Sequence, residues 1–252
     1  MELTETQYAC IEPCLPRQRG NVSMPNLQVL NAILYVAEQG CKWRGLPKRF
    51  GNWHTIYTRM NRWSKNGVLD RVFEHLQRAQ LIRIKLEAVS LDSTVVKVHP
   101  DGTGAPKKNG PQAIGKSRGG WTTKIHLVAA DARTALTFAL SPGQAHDSPE
   151  GRKLLASMGP QDDNVALVMD RAYQGDETRQ LALDLGFTPV VPPLKTRTDP
   201  WEYDREMYKR RNELERLFRR LKGYRRIFSR FEKLDVRFIG FIHFVLIFDA
   251  LR

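Results

Sequence analysis

The order of strand-like and helix-like segments after residue 85 restricts the folds that this chain can adopt. Three β-branched, alternating segments come first, and each predicts a strand: AVSLDSTVVKVH, TTKIHLVAAD and ALTFAL. A helix is predicted from Ser148 to about Met158, and the apolar run VALVMD then predicts a strand that is buried on both faces. A helix over residues 176–185, the short strand TPVVPP and two further helices complete the order. This order predicts a mixed sheet with helices on both faces.

The preceding part of the chain has a helical pattern instead. Apolar residues keep helical spacing from Asn26 to Gly40, from Trp53 to Gly67 and from Val68 to Ala79. A bundle of this kind has the size of a helix-turn-helix domain. We therefore predict an α/β fold, an RNase H-like mixed five-stranded sheet with flanking helices over residues 85–252, preceded by a small all-α helix-turn-helix-type domain over residues 1–84.

The charge of the chain predicts an anionic partner. The 252 residues carry a net charge of +13 with a pI near 9.9, and the clustering of the cations favours nucleic acid. Residues 42–65 contain no acid, and their seven cations favour contact with phosphate: Lys42, Arg44, Lys48, Arg49, Arg59, Arg62 and Lys65. We therefore predict that residues 1–84 bind DNA. The basic loop over residues 102–120, with Lys116 and Arg118, is equally compatible with a DNA clamp and with a solvated hairpin loop.

Two compositional features argue against other classes of protein. The three cysteines, Cys10, Cys14 and Cys41, form no zinc-binding pattern, and their odd number predicts reduced thiols in the cytoplasm. The apolar segment VRFIGFIHFVLIFDAL is too short to cross a membrane and carries charged residues. It predicts a buried C-terminal helix, and no membrane partner is expected.

The segment Tyr203–Arg226 predicts one basic helix with a single carboxylate inside its basic stripe. At about 100° per residue, five polar side chains fall within an arc of roughly 80°: Tyr208, Arg211, Glu215, Arg219 and Lys222. An adjacent apolar stripe gives this helix a face to bury. The helix taken alone fits an ordinary solvated face equally well, with surface pairs such as Glu215 to Arg219.

Two aspartates and this glutamate form a candidate catalytic site. Asp92 lies inside the first predicted strand, where an unpaired acid is unfavourable, and Asp170 ends the apolar strand VALVMD. If these strands are neighbours, the two carboxylates converge and Glu215 on the basic helix can reach them. Three carboxylates can hold two Mg²⁺ or Mn²⁺ ions about 3.5–4 Å apart for phosphoryl transfer. The alternative is structural, with Asp92 capping a strand pair and Asp170 capping a turn.

Other residues near this candidate site are expected to be structural. His126 alternates with polar residues on a strand, and Ser148 is the expected cap of the helix that follows. Asp147 could approach the metal ions, but a place at the helix start is the simpler interpretation. The N-terminal tryptophans hold helical register, which favours a place in the core over stacking on bases.

The motifs resemble those of a known family. YKRRNELERLFRRLK matches YxxRxxxExxxxxxK through Tyr208, Arg211, Glu215 and Lys222, the signature around the catalytic glutamate of many DDE transposases of bacterial insertion sequences. LDSTVVKVHP, SPGQAHD, VMDRAYQGD and the N-terminal CKWRGLPKRFGNWHTIYTRMNRWSKNGV together are similar to the insertion-sequence-five family. The resemblance covers most of the chain.

This resemblance implies a Mg²⁺-dependent transposase with an RNase H-like core. Asp92, Asp170 and Glu215 would be the catalytic and metal-binding residues, with Arg211 and Lys222 on terminal DNA phosphates. The implied reaction is cleavage at terminal inverted repeats and transfer of a 3′-OH into target DNA, by a homodimer or higher oligomer on double-stranded DNA in the bacterial nucleoid. One alternative is a catalytically silent, sequence-specific DNA-binding protein derived from a transposase. Another is a nuclease that acts on RNA or DNA flaps, because proteins with the same fold can differ in function.

Overall fold

The computed structural model describes residues 2–18, 22–81, 87–161 and 165–252. The chain forms two compact units, and each is assembled from separate stretches. The first unit comprises Met1–Ala79, Lys97–Gln112 and Arg220–Arg252, and the second comprises Gln80–Val96 and Ala113–Arg219. The predicted domain boundary between residues 84 and 85 lies outside the described residues and stays a prediction.

The helices and strands of the described residues follow the predicted order. The α-helices are α1 (Glu5–Ile11), α2 (Asn26–Gln39), α3 (Trp53–Lys65), α4 (Val68–Leu81), α5 (Asp147–Met158), α6 (Asp176–Asp184), α7 (Arg205–Tyr208), α8 (Arg211–Gly223), α9 (Arg225–Phe228) and α10 (Asp235–Ala250). The strands are β1 (Ala88–Val98), β2 (Gly115–Ser117), β3 (Gly120–Ala129), β4 (Ala135–Pro142), β5 (Val165–Met169), β6 (Phe187–Val190) and β7 (Ser229–Arg230).

The first unit is built around α2, α3 and α10. Most of the apolar stripe of α2 is buried, and the helix ends at Gly40, whose φ of +66° is accessible mainly to glycine. A Cβ atom at Gly40 would meet Cβ of Arg225 at 2.9 Å. The side chain of Asn52 caps α3 by accepting from the backbone N–H of His54 at 2.9 Å. As predicted, α10 is largely buried, and it packs against α3 and α2.

The second unit contains the mixed sheet. Its strand order is β2-β3-β1-β5-β6, with β4 also paired to β3. Strands β3 and β4 are antiparallel, whereas β5 is parallel to both β1 and β6. All five residues of β5 are buried, which confirms the expectation from its continuous apolar sequence. The arrangement is the predicted RNase H-like one, but the sheet of the described residues has seven strands, so the predicted number of five is wrong.

Alternate residues of β1 and β5 face opposite sides of this sheet. Val89, Leu91 and Met169 pack in one apolar cluster with residues of α5 and α6. Ala88 and Val168 belong to a second cluster, against which Tyr203, Met207 and Tyr208 pack. Helices therefore cover both faces, as a parallel sheet requires.

The prediction of one continuous basic helix over residues 203–226 is wrong. The structure divides this segment into α7, α8 and α9. Between α7 and α8 the backbone hydrogen bonds are three residues apart, from Lys209 N–H to Glu206 O at 3.1 Å and from Arg210 N–H to Met207 O at 3.0 Å. This tighter winding interrupts the helix before Arg211. Gly223, which lowers helix stability, is the last residue of α8.

Three smaller expectations also differ from the structure. The residue before α5 is His146, and the hydroxyl of Ser148 bonds to that of Thr178 at 2.8 Å instead of capping the helix. Part of the basic loop is strand β2, which pairs antiparallel with β3. The short strand β7 pairs with Lys97 and Val98 at the end of β1. No helix in the described part of the chain is long and apolar enough to cross a membrane.

Candidate active site

The parallel pairing of β1 and β5 brings Asp92 and Asp170 side by side. In this register Leu91 lies beside Met169, and each aspartate is the next residue along its own segment. Leu91 and Met169 are fully buried in the apolar cluster under α5. The two carboxylates therefore follow the buried ends of adjacent parallel strands, the edge at which open α/β sheets place their sites.

Asp92 is the more buried of these two acids, with 15% of its side chain exposed. Burial raises the pKa of Asp92 to about 6, the backbone N–H of Ser93 opposes this shift, and the charge of Asp170 adds to it. The Ser93 N–H donates to Oδ1 of Asp92 at 2.7 Å and so fixes the orientation of the carboxylate. The other oxygen, Oδ2, stays available to a cationic partner.

Asp170 is held by the turn that follows its strand. It precedes the 3₁₀ turn Arg171–Tyr173, and its side chain accepts from the backbone N–H of Arg171. Its side chain is 42% exposed. One oxygen is thus fixed to the backbone while much of the carboxylate remains open to solvent.

Arg211 connects the two aspartates to Glu215. Its Nη1 lies 3.1 Å from Oδ2 of Asp92 and 4.0 Å from Oδ2 of Asp170, and its Nη2 lies 2.7 Å from Oε1 of Glu215. Burial works against the charge of Arg211, but the neighbouring carboxylates outweigh it and raise its pKa. The three carboxylates that the sequence singled out therefore converge on one guanidinium group.

The donor set suits a hard divalent cation. Carboxylate oxygens are the ligands that Mg²⁺ and Mn²⁺ prefer, and three carboxylates outnumber the single positive charge of Arg211. Within residues 2–18, 22–81, 87–161 and 165–252, no three acidic, histidine or cysteine side chains are arranged as ligands of one ion. The guanidinium of Arg211 lies among the carboxylates instead.

Asp147 belongs to the same neighbourhood, a contact that the sequence analysis did not favour. Its Oδ1 accepts from the hydroxyl of Ser93 at 2.7 Å and from Nζ of Lys124 at 2.9 Å. Its negative charge also contributes to the raised pKa of Asp92. The available signal was an acid in the first turn of a helix that follows the three leading strands.

Two buried side chains, His126 and Tyr173, lie close to these acids. His126 is fully buried, its Nε2 lies 2.8 Å from the hydroxyl of Ser141, and burial lowers its pKa. This environment suits the structural role expected for His126. Tyr173 is also buried, and burial raises the pKa of its hydroxyl well above the ordinary value.

Comparison with known families shows two models that match this chain. Residues 84–247 match the model described as "Transposase DDE domain". The chain belongs to this family of DDE transposases. Residues 3–73 match a second model, described as "Putative transposase of IS4/5 family", which confirms the resemblance to insertion-sequence proteins.

This DDE transposase is also similar to individual known proteins. A putative transposase for insertion sequence element IS6501 from Brucella ovis is 34% identical over 123 residues, which cover 48% of this chain and 92% of that protein. The uncharacterized protein y4sN from Sinorhizobium fredii is 36% identical over 85 residues, which cover 34% of this chain and 65% of that protein. Among solved structures, a Mos1 transposase paired-end complex with the left transposon end aligns with a TM-score of 0.28 and 12% identity, over 85% of this chain and 79% of that one.

The residues predicted to contact DNA in the second unit of this DDE transposase differ in how far their side chains are exposed to solvent. Arg219, Lys116 and Arg118 are exposed, the last two on the β2–β3 hairpin. Tyr208 is half-buried, with its ring 5.6 Å from that of Tyr203 in an edge-on contact. Arg211, as described above, contacts carboxylates.

The predicted DNA contacts in the first unit also fall into two groups. Six are exposed to solvent: Lys42, Arg44, Lys48, Arg49, Arg62 and Lys65. Arg59 is half-buried, and its Nη1 donates to the backbone oxygen of Met24 at 3.0 Å and to Asn26 Oδ1 at 3.3 Å. Lys222 is half-buried as well, and burial lowers its pKa. The exposed group is therefore the better candidate for contact with phosphates.

Proposed function

We propose that this DDE transposase cleaves DNA at the terminal inverted repeats of its element and joins the released 3′-OH to target DNA, in a reaction that depends on a divalent cation. The observation that supports this proposal is the convergence of Asp92, Asp170 and Glu215 on Arg211. The three acids come from three separate elements of the RNase H-like unit. A protein that only bound DNA would gain nothing from gathering negative charge at this place.

The proposed reaction is two displacements at phosphorus. In the first, the oxygen of water bonds to the phosphorus at the element end, and the bond to O3′ breaks. This leaves a 3′-OH on the element and a 5′-phosphate on the flanking strand. In the second, that 3′-OH bonds to a target phosphorus, and the target strand loses its own O3′. Because both steps are in-line displacements, one site can serve both.

The residues at this site would have three different roles: to hold the metal ions, to orient the aspartates and to balance charge. Asp92, Asp170 and Glu215 would hold two Mg²⁺ or Mn²⁺ ions, which supply Lewis-acid stabilisation of phosphoryl charge when bound. The N–H groups of Ser93 and Arg171 keep the two aspartates oriented. In the DNA-free state Arg211 balances part of the negative charge of the acids.

Arg211 would also link the site to DNA. Its guanidinium has the fork geometry that recognises carboxylate and phosphate alike. On DNA we expect this group to pair with a terminal phosphate, with Tyr208 beside it and Lys222 and Arg219 as further contacts. Holding two element ends at once requires a homodimer or a higher oligomer, which is part of the proposal.

The test is cleavage of a labelled duplex that ends in the inverted repeat of the native element. We expect a nick at the repeat boundary with Mg²⁺ or Mn²⁺, a product 3′-OH that a polymerase can extend, and no product in EDTA. A duplex with a scrambled repeat is the control. Sequence-specific binding with no cleavage in any divalent cation would contradict the proposal and support the catalytically silent DNA-binding alternative.

A further inference from the structure

The first unit contains an aromatic cavity that is separate from the carboxylates. Its volume is about 380 Å³, within the range of small-molecule sites. Its walls carry five aromatic side chains: Trp43, Trp53, Tyr57, Phe231 and Phe241. Trp43 contacts Tyr57 edge-on, with ring centroids 5.5 Å apart, and its ring centroid lies 5.9 Å from that of Phe241. The cavity is therefore bordered by rings that hold one another in place.

The two tryptophans of this cavity are not fully buried. Trp63, on the same helix as Trp53, is 3% exposed and belongs to the core, whereas Trp43 and Trp53 are only half-buried. The expectation that the tryptophans are core residues is thus correct for Trp63 only. Partly exposed indole rings around a cavity leave aromatic surface that a planar ligand could cover.

The rim of the cavity is positively charged. The side chain of Lys42 is 83% exposed, and Arg44 and Lys233 are also exposed. The guanidinium of Arg44 lies 5.4 Å from the centroid of the Trp53 ring. This places a cation beside an aromatic face, a combination that binds nucleic-acid bases together with their phosphates.

The acids that line the cavity are already engaged. Asp101 lies 3.8 Å from Nζ of Lys42. Glu232 is 8% exposed and accepts from Arg226 Nη1 at 3.0 Å. Arg226 also donates to the backbone oxygen of Cys41 at 2.7 Å. The buried charges of Arg226 and Glu232 thus compensate one another, and the exposed rim presents three cations, Lys42, Arg44 and Lys233, beside the exposed Asp101.

We propose that this cavity binds one unpaired base of a DNA strand, with the aromatic rings stacking on the base and the rim cations contacting the neighbouring phosphates. Aromatic stacking together with positive charge favours a nucleotide over an apolar ligand or an acidic peptide. Stacking does not depend on base identity, so the site would recognise an unpaired state more than a sequence. This proposal rests on the proposed action on DNA, but it concerns a separate site.

The test compares two duplexes of the same sequence, one fully paired and one with a single unpaired aminopurine, a fluorescent adenine analogue. We expect the wild-type protein to bind the second duplex roughly tenfold more tightly and to change the aminopurine fluorescence. Trp53→Ala and Arg44→Gln should each reduce this preference, the first by roughly five- to tenfold. Trp53→Phe, which keeps an aromatic ring, should retain most of it.

Trp121→Ala is the matched control, because Trp121 is 52% exposed and lies on β3, outside the cavity. Any contact that it makes with DNA should affect both duplexes alike and leave their affinity ratio unchanged. Equal binding of the two duplexes by the wild-type protein would overturn the proposal for the cavity alone. Loss of the preference in Trp121→Ala, or its persistence in both Trp53→Ala and Arg44→Gln, would overturn it too. If neither duplex is bound, the proposed action on DNA fails as well.

Discussion

Arg211 Nη1 lies 3.1 Å from Oδ2 of Asp92, a residue 119 positions earlier in the chain. This contact joins the first residue of α8 to the interior of β1. Because Asp92 is largely buried, its carboxylate needs a compensating cation at neutral pH. Arg211 provides one in this structure, and a divalent ion could do so with more charge.

Removal of Arg211 is expected to destabilise the protein. Arg211→Ala leaves Asp92 without its cationic partner, at a cost of about 1–3 kcal/mol in the free energy of unfolding. The measurement is urea denaturation at neutral pH in EDTA. Arg210→Ala is the control, because Arg210 makes only a partly exposed pair with Glu213 at 3.3 Å, with a contribution of at most about 1 kcal/mol. Equal stability of Arg211→Ala and wild type would contradict this interpretation.

Arg230 is expected to be a structural residue despite its charge. It is fully buried, its Nη2 lies 2.7 Å from Asp235, and its Nε donates to the backbone oxygen of Glu232 at 2.8 Å. Arg230→Ala should lower the free energy of unfolding by about 3–5 kcal/mol, because it removes a fully buried guanidinium that pairs with the partly buried Asp235 and donates to a backbone oxygen. The exposed neighbour Lys233→Ala should change it by less than about 0.5 kcal/mol. Similar thermal melting of the two variants would refute this assignment.

Lys124 should link the sheet to the start of α5. Its ammonium donates to the backbone oxygen of Ala145 at 2.8 Å and to Asp147 at 2.9 Å. Lys124→Met is expected to cost about 1–3 kcal/mol of stability and to slow cleavage, since Asp147 also holds Ser93 next to Asp92. Lys153→Met removes only an exposed pair with Glu150 and serves as the control. Unchanged melting and cleavage in Lys124→Met would show that this network is dispensable.

The burial of Tyr224 is expected to make the folded protein less stable at alkaline pH. Burial raises the pKa of Tyr224 to about 12, above the ordinary value of 10.0. Between about pH 10 and pH 12 the folded protein therefore retains a proton that the unfolded chain has lost. The stability that Tyr224 contributes is fully present below about pH 10 and is lost as the pH rises towards about 12. Tyr224→Phe should show a flatter fall in stability over that range. Denaturation curves at several alkaline pH values would test it, and parallel falls for variant and wild type would be the contrary result.

The sequence predicted the sheet because the burial pattern of each strand was visible in its residues. The unbroken apolar run of β5 indicated a strand buried on both faces, and this explains why Asp170 at its end could be selected as a site residue. The alternation in β1 likewise made Asp92 stand out. Both inferences depend only on the sequence of a single strand, and each of these segments is a strand in the structure.

Other features depend on contacts between distant residues, and the sequence did not reveal them. The interruption of the basic helix before Arg211 follows from tighter backbone hydrogen bonding, although residues 203–226 have continuous helical spacing. The place of Arg211 among the acids could not be distinguished from a place on a DNA phosphate, because both partners are anionic. Trp53 and Trp63 share the same helical pattern, and only packing separates the cavity-lining ring from the core ring.

The most direct test of the central claim is the rate at which isosteric variants of the three acids cleave an end-bearing duplex in Mg²⁺. We expect Asp92→Asn, Asp170→Asn and Glu215→Gln each to lower this rate by at least about a hundredfold while DNA binding is retained. Asp184→Asn, an exposed acid on α6, should cleave like the wild type. Cleavage at the wild-type rate by any one of the three variants would contradict the shared catalytic role of these carboxylates.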